Sequence, residues 1–221
     1  DLRKKAKLPV ILAGMRASSP AVTEALHQLL AKVSLPVVET YQGAGAISHE
    51  FEADYFGRVG LFRNQIGDTL LKQSDLVIAI GYDPVEYEAR NHNVEHNDQI
   101  INIDTVAPEL TVDYQPDMVI ESDIAGTLSA LTDALPASYH LPKTAVDQLA
   151  KLRSEFDGQS TTATTAKPGT MHPLDIVNTL QEKVDDETTV TVDIGSHYIW
   201  MARHFRIYRP RHLLFSNGMQ T

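Results

Sequence analysis

The amino-acid sequence predicts an α/β fold, in which a doubly wound parallel sheet is followed by a truncated α/β half-domain. Residues 76–80 (LVIAI) form an uninterrupted apolar run that is rich in β-branched residues, too short for a helix and closed by Gly81. A strand covered by helices on both faces has this pattern, whereas a half-exposed antiparallel strand alternates. Strand-like and helix-like segments also alternate along residues 8–136, which is typical of right-handed βαβ units. The alternation resumes near residue 171 and yields only two more strands.

The larger unit is predicted to contain five or six strands. The predicted strands are residues 8–14, 35–40, 76–80, 99–104 and 118–121, and the predicted helices are residues 21–33, 64–73 and 123–135. Residues 42–63 are predicted to be rich in loops, and residues 85–98 are predicted to be a long loop or a loop with a short helix. Because open α/β sheets bind ligands at the carboxyl ends of their strands, Gly81, Tyr82 and Asp83 mark the candidate ligand edge.

A low-complexity stretch at residues 158–169 predicts a linker between two domains. The segments predicted around it are helices 141–156, 173–184 and 198–205 and strands 188–193 and 212–215. The predicted division is therefore a first domain at residues 1–140, a helix and linker at 141–170, and the N-terminal part of a second domain at 171–221.

Composition and charge exclude several classes of protein. The formal net charge is −10 and the calculated pI is about 5.3, which argues against nucleic acid or an anionic membrane as the main partner. The absence of cysteine excludes disulfides and cysteine–zinc sites and favours a cytoplasmic setting. Because the chain begins at Asp1 rather than at methionine, we expect it to be an excised segment of a longer protein.

The most specific candidate site is the stretch from Asp193 to His197 (DIGSH). A hydrophobic strand is predicted to end at Asp193, Gly195 frees the turn, and a helix follows at once. The backbone N–H groups at such a helix start suit a phosphate, and Ser196 and His197 add side-chain donors. The sequence alone leaves open the alternative that Ser196 merely caps the helix and His197 is an ordinary surface residue.

Three other patterns resemble functional motifs but have simpler explanations. Residues 14–17 (GMRA) follow the first strand but lack the G-x-G-x-x-G spacing, so a structural turn is favoured. The sequence Gly67-Asp68-Thr69 lacks the second glycine and the buried strand that a metal–diphosphate signature requires. His92 and His96 have i, i+4 spacing, yet the asparagines around them favour a solvated loop over a metal-binding helix.

Residues 43–46 (GAGA) resemble the glycine loop of the NAD-dependent sirtuin deacylases. The loop follows the second strand rather than the first, and without cysteine the structural zinc module common in that family cannot form. A sirtuin-like NAD-binding deacylase is therefore one alternative. A non-catalytic scaffold or interface module is another.

Several longer stretches resemble the thiamine-diphosphate-dependent acetolactate synthases, specifically their catabolic, FAD-independent branch. The stretches are residues 55–65 (YFGRVGLFRNQ), 80–87 (IGYDPVEY), 114–117 (YQPD), 193–197 (DIGSH), 199–203 (IWMAR) and 216–221 (SNGMQT). Enzymes of this family consist of a pyrimidine-binding, a central and a diphosphate-binding α/β domain. The resemblance implies that residues 1–140 are the Rossmann-like central domain and that residues 171–221 begin the diphosphate-binding domain.

The resemblance also implies a reaction, which is the condensation of two pyruvate molecules to 2-acetolactate with release of CO2. It implies thiamine diphosphate and Mg²⁺ as cofactors, a homo-oligomer (dimer or tetramer) and a place in the acetoin/butanediol pathway. Gly195, Ser196 and His197 match family positions that contact the diphosphate, and Gln220 matches a contact to the aminopyrimidine. No catalytic residue and no metal ligand is expected in this segment, which alone should be inactive and structural.

Comparison with the FAD-dependent relatives predicts that this central domain binds no FAD. The FAD-dependent relatives cradle the flavin with a glycine-rich turn after the first strand and an arginine-bearing loop after the central one. Residues 14–17 and 82–86 replace these with bulkier and acidic side chains, which would oppose the flavin phosphates.

Overall fold

A six-stranded parallel sheet is the main element of the structure. The structure is a computed structural model that describes residues 6–60, 64–93, 99–136, 139–161 and 166–216. The strands are Pro9–Ala13 (β1), Val37–Thr40 (β2), Tyr55–Val59 (β3), Leu76–Ile80 (β4), Gln99–Asp104 (β5) and Met118–Glu121 (β6). Their order is β3-β2-β1-β4-β5-β6, and every neighbouring pair is parallel. The doubly wound parallel sheet predicted from the sequence is confirmed.

Helices cover both faces of this sheet. They are Pro20–Lys32 (α1), Ile66–Gln73 (α2), Ile124–Ala134 (α3) and Lys143–Thr161 (α4). Helix α1 packs against α3 on one face, and α2 packs against α4 on the other. Along β4, Ile78 and Ile80 join the first apolar core, whereas Val77 and Ala79 join the second. This burial on both faces explains the unbroken apolar run at residues 76–80.

A second, two-stranded parallel sheet follows in the chain. It consists of Val190–Val192 (β7) and Leu213–Phe215 (β8), with the helices Pro173–Lys183 (α5) and Ser196–His204 (α6). The apolar core of this part includes Tyr41 and Ala44 from the loop after β2, so the two sheets share a packed interface. None of the helices in the described ranges is long and apolar enough to cross a membrane.

The loop predicted at residues 42–63 is wrong for residues 55–59, which form the strand β3. Gly57 and Arg58 break the apolar pattern that identifies a strand from sequence. In the sheet, β3 is the edge strand beside β2, and Glu39 of β2 stands opposite Arg58. The arginine is therefore accommodated in a strand because its neighbour supplies an opposite charge.

The predicted linker at residues 158–169 starts too early. Helix α4 continues through Gly158 to Thr161. No neighbouring heavy atom lies within 4 Å of where a Cβ at Gly158 would be, so this turn of the helix faces open space. Glycine weakens a helix interior only by roughly 1 kcal/mol relative to alanine, which the rest of α4 outweighs.

Candidate functional site

The site predicted at residues 193–197 forms the start of helix α6. Strand β7 ends at Val192, and Gly195 is the N-terminal cap of α6 with φ of 154°. A positive φ of this size is a backbone conformation that favours glycine. Ser196 and His197 are exposed in the first turn of the helix.

This helix start is suited to an anion. The first N–H groups of a helix have no partner within the helix, and the helix dipole places partial positive charge beside them. The carboxylate of Asp193 accepts a hydrogen bond from the backbone N–H of Ile194 at 2.8 Å. Gly195, Ser196 and His197 form the cap and first turn of α6, whereas Gln220 lies outside the described residues.

The other end of α6 is held by Arg58 of β3. Nη1 of Arg58 donates hydrogen bonds to the carbonyl oxygens of Phe205 at 2.7 Å and Ala202 at 3.2 Å. The last carbonyls of a helix lack partners within it, and a cation there interacts favourably with the dipole. Arg58 therefore fixes, from the first sheet, the helix whose N-terminus forms the candidate site.

Arg58 is itself held by a buried carboxylate. Its Nε lies 3.2 Å from Oε2 of Glu39, and the side chains of the two residues are 2% and 0% exposed. The other carboxylate oxygen of Glu39 accepts a hydrogen bond from the backbone N–H of Ile47 at 3.2 Å. Burial raises the pKa of Glu39, against the opposing effect of Arg58.

A second arginine joins the two sheets beside this pair. Arg206 follows α6, and its Nη2 lies 2.8 Å from Oε2 of Glu52. Its guanidinium carbon lies 3.5 Å from the ring centroid of Tyr55, the first residue of β3, in a cation–π arrangement. The sequence singles out neither Arg206 nor Glu39; the only local signal is a charged residue inside an apolar strand, at Glu39.

The nucleotide-binding position of the first sheet is filled by protein. The strand order reverses between β1 and β4, and the turn Gly14–Ala17 follows β1 there. A Cβ at Gly14 would collide with the carbonyl of Gly81, so the two turns are in close contact. Nε of Arg16 donates to Asp104 at 2.8 Å, which closes the crevice across the strand ends.

A buried carboxylate, Glu86, lies near the same strand ends. The residue is 5% exposed, and neither carboxylate oxygen makes a hydrogen bond of ordinary geometry, although Thr40 and the backbone of Met15 are close. Burial raises the pKa of Glu86 to about 7, and Asp83 adds to the increase. Glu86 is therefore a buried acid whose protonation changes near neutral pH.

The glycine loop at residues 43–46 serves packing. A Cβ at Gly43 would collide with the carbonyl oxygen of Ala13, and a Cβ at Gly45 with that of Arg209. The backbone of Gly45 has φ of 86°, which favours glycine. Close contact with the end of β1 and with the segment before β8 leaves the loop no free space for a nucleotide.

The other two patterns also have structural roles. Asp68 is part of the capping box of α2, where its Oδ2 accepts from the backbone N–H of Gln65 at 2.9 Å. The solvated loop predicted for His92 is wrong: the residue is 4% exposed and stacks on Tyr87 with ring centroids 5.8 Å apart. His96 lies outside the described residues.

Comparison with known proteins identifies the fold's family. Residues 1–131 match the model for the thiamine pyrophosphate enzyme central domain. The chain belongs to this family. The match covers all six strands of the main sheet, so the first unit is a central domain of this kind.

The curated relatives are acetolactate synthases. The chain is 45% identical over 217 residues to acetolactate synthase of Bacillus subtilis (strain 168) and 38% identical over 216 residues to the catabolic acetolactate synthase of Raoultella terrigena. It is 28% identical over 225 residues to the large subunit of acetolactate synthase isozyme 1 of Escherichia coli (strain K12). These alignments cover 98% of this chain but 38%, 38% and 37% of the relatives, so the chain spans under two-fifths of their length.

Proposed function

We propose that this chain is part of an acetolactate synthase, which condenses two pyruvate molecules to 2-acetolactate with release of CO2. The observation that carries the proposal is similarity to acetolactate synthases across 98% of the chain, including the second sheet beyond the matched central domain. The sirtuin-like alternative gains no support from these comparisons, and the packing of residues 43–46 argues against it.

The proposed division of the chain follows the two sheets. Residues 1–140 form the central domain, residues 141–170 the connecting helix and linker, and residues 171–221 the first part of the diphosphate-binding domain. We assign no catalytic residue and no metal ligand to the segment. Its role is to position α6 from the first sheet through Arg58, which agrees with the scaffold function considered from the sequence.

The start of α6 fits the diphosphate of thiamine diphosphate. Its glycine cap, first-turn N–H groups and exposed Ser196 and His197 are hydrogen-bond donors for an anion at the start of the helix. When bound, the cofactor supplies an electron sink that stabilises a carbanion. Gly195, Ser196 and His197 bind and orient the diphosphate, and Gln220 contacts the aminopyrimidine in this proposal.

We propose that the central domain holds no FAD. The contact between Gly14 and Gly81 and the Arg16–Asp104 pair occupy the position at which such sheets bind a nucleotide. Asp83 and Glu86 add negative charge beside it. The complete protein is proposed to be a cytoplasmic homo-oligomer that requires thiamine diphosphate and Mg²⁺.

The activity is tested with a protein that includes the flanking domains. With pyruvate, thiamine diphosphate and Mg²⁺, we expect colorimetric detection of acetolactate, and we expect the same rate whether or not FAD is added. Omission of thiamine diphosphate is the control and should abolish the product. A folded complete protein that makes no acetolactate would contradict the proposed reaction, and flavin co-purifying with it would contradict the proposed absence of FAD.

Substitution at the start of α6 tests the diphosphate contacts. In the complete enzyme, Ser196→Ala combined with His197→Ala should raise the apparent Kd for thiamine diphosphate roughly tenfold or more, because hydrogen bonds to a charged group are lost. Saturating cofactor should restore kcat. His140→Ala removes an exposed histidine outside α6 and is the matched control. An unchanged cofactor affinity in the double variant would contradict the assignment of Ser196 and His197 as contacts to the diphosphate.

A further inference from the structure

A polar cavity lies where the two sheets meet, apart from the start of α6. Its volume is 170 Å³, which is far more than the roughly 10–15 Å³ needed for one water molecule. The charged residues that line it are Arg58, Arg153, Arg203, Arg206, Glu52 and Asp157. Four guanidinium groups therefore face two carboxylates, in a chain whose net charge is −10.

The two carboxylates of the cavity are already used by two of its arginines. Oε1 of Glu52 lies 3.0 Å from Nη2 of Arg153, and Oε2 lies 2.8 Å from Nη2 of Arg206. Asp157 lies 2.9 Å from the same nitrogen of Arg153. Glu52 thus has both oxygens paired, and Arg58 pairs instead with Glu39, which does not line the cavity.

The third arginine, Arg58, has an unsatisfied nitrogen. Its Nε is paired with Glu39 and its Nη1 donates to two carbonyls, but its Nη2 is buried and has no hydrogen-bond partner among the described residues. A buried charged donor left unpaired is unfavourable, and native structures satisfy such groups with protein, water or an ion. This nitrogen indicates that the arrangement is completed by an acceptor from outside the chain.

The fourth arginine of the lining, Arg203, is less buried than Arg58. Nη2 of Arg203 lies 2.6 Å from Oδ1 of Asn64, which is a neutral amide. Burial, together with the charge of Arg203, lowers the pKa of His204 to about 4, so its ring is neutral at pH 7 and offers one N–H donor. Arg58, Arg203 and His204 all line the cavity.

We propose that this cavity is a binding site for a small oxyanion, such as phosphate or a short carboxylate. Guanidinium groups donate several hydrogen bonds in a plane and suit the oxygens of both classes. The bound anion would join β3, α4 and the end of α6, and it would thereby stabilise the packing of the two sheets. The cavity is at the opposite end of α6 from the proposed diphosphate contacts, so the two anion sites are distinct.

Tryptophan fluorescence gives a direct test. The only tryptophan in the sequence is Trp200, whose ring stacks on His204 with centroids 5.6 Å apart. Titration of the 221-residue chain with sodium phosphate or sodium acetate should produce a saturable change in the fluorescence of Trp200. The anion that binds with the lower Kd identifies the preferred class of ligand. Sodium chloride at matched ionic strength is the control. Identical responses to all three salts would overturn the proposal.

Two variants of opposite expected effect locate the site. Arg203→Gln should weaken oxyanion binding roughly tenfold, because one charged donor is lost. Asp157→Asn should strengthen it severalfold, because a partly exposed negative charge is removed from the lining. A variant that is merely less stable does not gain affinity, so the second result separates binding from folding.

Further variants distinguish this cavity from the start of α6. Ser196→Ala combined with His197→Ala should retain a saturable response to phosphate, and Arg209→Gln, which removes a half-exposed arginine outside the cavity, should leave that response unchanged. Loss of the response in the Ser196/His197 variant with retention in Arg203→Gln would place the ion at the helix start and overturn the proposal. Unchanged affinity in both Arg203→Gln and Asp157→Asn would also overturn it.

Discussion

Arg58→Met is expected to lower the free energy of unfolding by about 3–5 kcal/mol, since it removes one partner of a buried ion pair. The substitution leaves the carboxylate of Glu39, which is inaccessible to solvent, without its guanidinium partner. It also removes the donor to the carbonyls of Ala202 and Phe205 at the end of α6. Urea denaturation of the 221-residue chain, followed by circular dichroism, measures the change.

Two comparisons show whether the buried pair is responsible. Combining Glu39→Gln with Arg58→Met should recover part of the loss, because the unpaired charge no longer has to be buried. Arg90→Met removes an arginine of an exposed pair with Glu88 and should cost at most about 1 kcal/mol. If Arg58→Met destabilised no more than Arg90→Met, the interface between the sheets would not depend on this pair.

The alternation of strands and helices made most of the fold predictable. The strand Leu76–Ile80 carries its own signal, because burial on both faces requires apolar residues throughout. The strand Tyr55–Val59 does not, because Gly57 gives no strand signal and the buried Arg58 is accommodated beside Glu39. That pairing depends on residues distant in sequence, and no local pattern reveals it.

The same difference separates the two proposed anion sites. The start of α6 was predictable because a strand, Gly195 and a helix follow one another within a few residues. The arginine cavity assembles side chains from β3, α4 and the end of α6, which are far apart in the chain. Only the folded structure shows that Arg58 and Arg203 line one cavity.

Glu86→Gln is expected to raise the free energy of unfolding at pH 8 by about 2–3 kcal/mol and to change it little at pH 5. The pKa of Glu86 is raised from its usual 4.5 to about 7, mainly by burial. Between these values the folded state binds more protons than the unfolded state, so its stability decreases as the pH rises. Glutamine keeps the shape of the side chain but carries no charge at either pH.

The measurement is urea denaturation of the 221-residue chain and the Glu86→Gln variant at pH 5, 6, 7 and 8. The difference between them should grow with pH through the range from about 4.5 to 7 and then level off, because Glu86 is fully ionised above it. Glu88→Gln, at an exposed neighbouring position, should show no such trend. A constant difference at all four pH values would mean that folding does not raise the pKa of Glu86, and Thr40, the backbone of Met15 and Arg16 would then have to stabilise its carboxylate at least as strongly as burial opposes it.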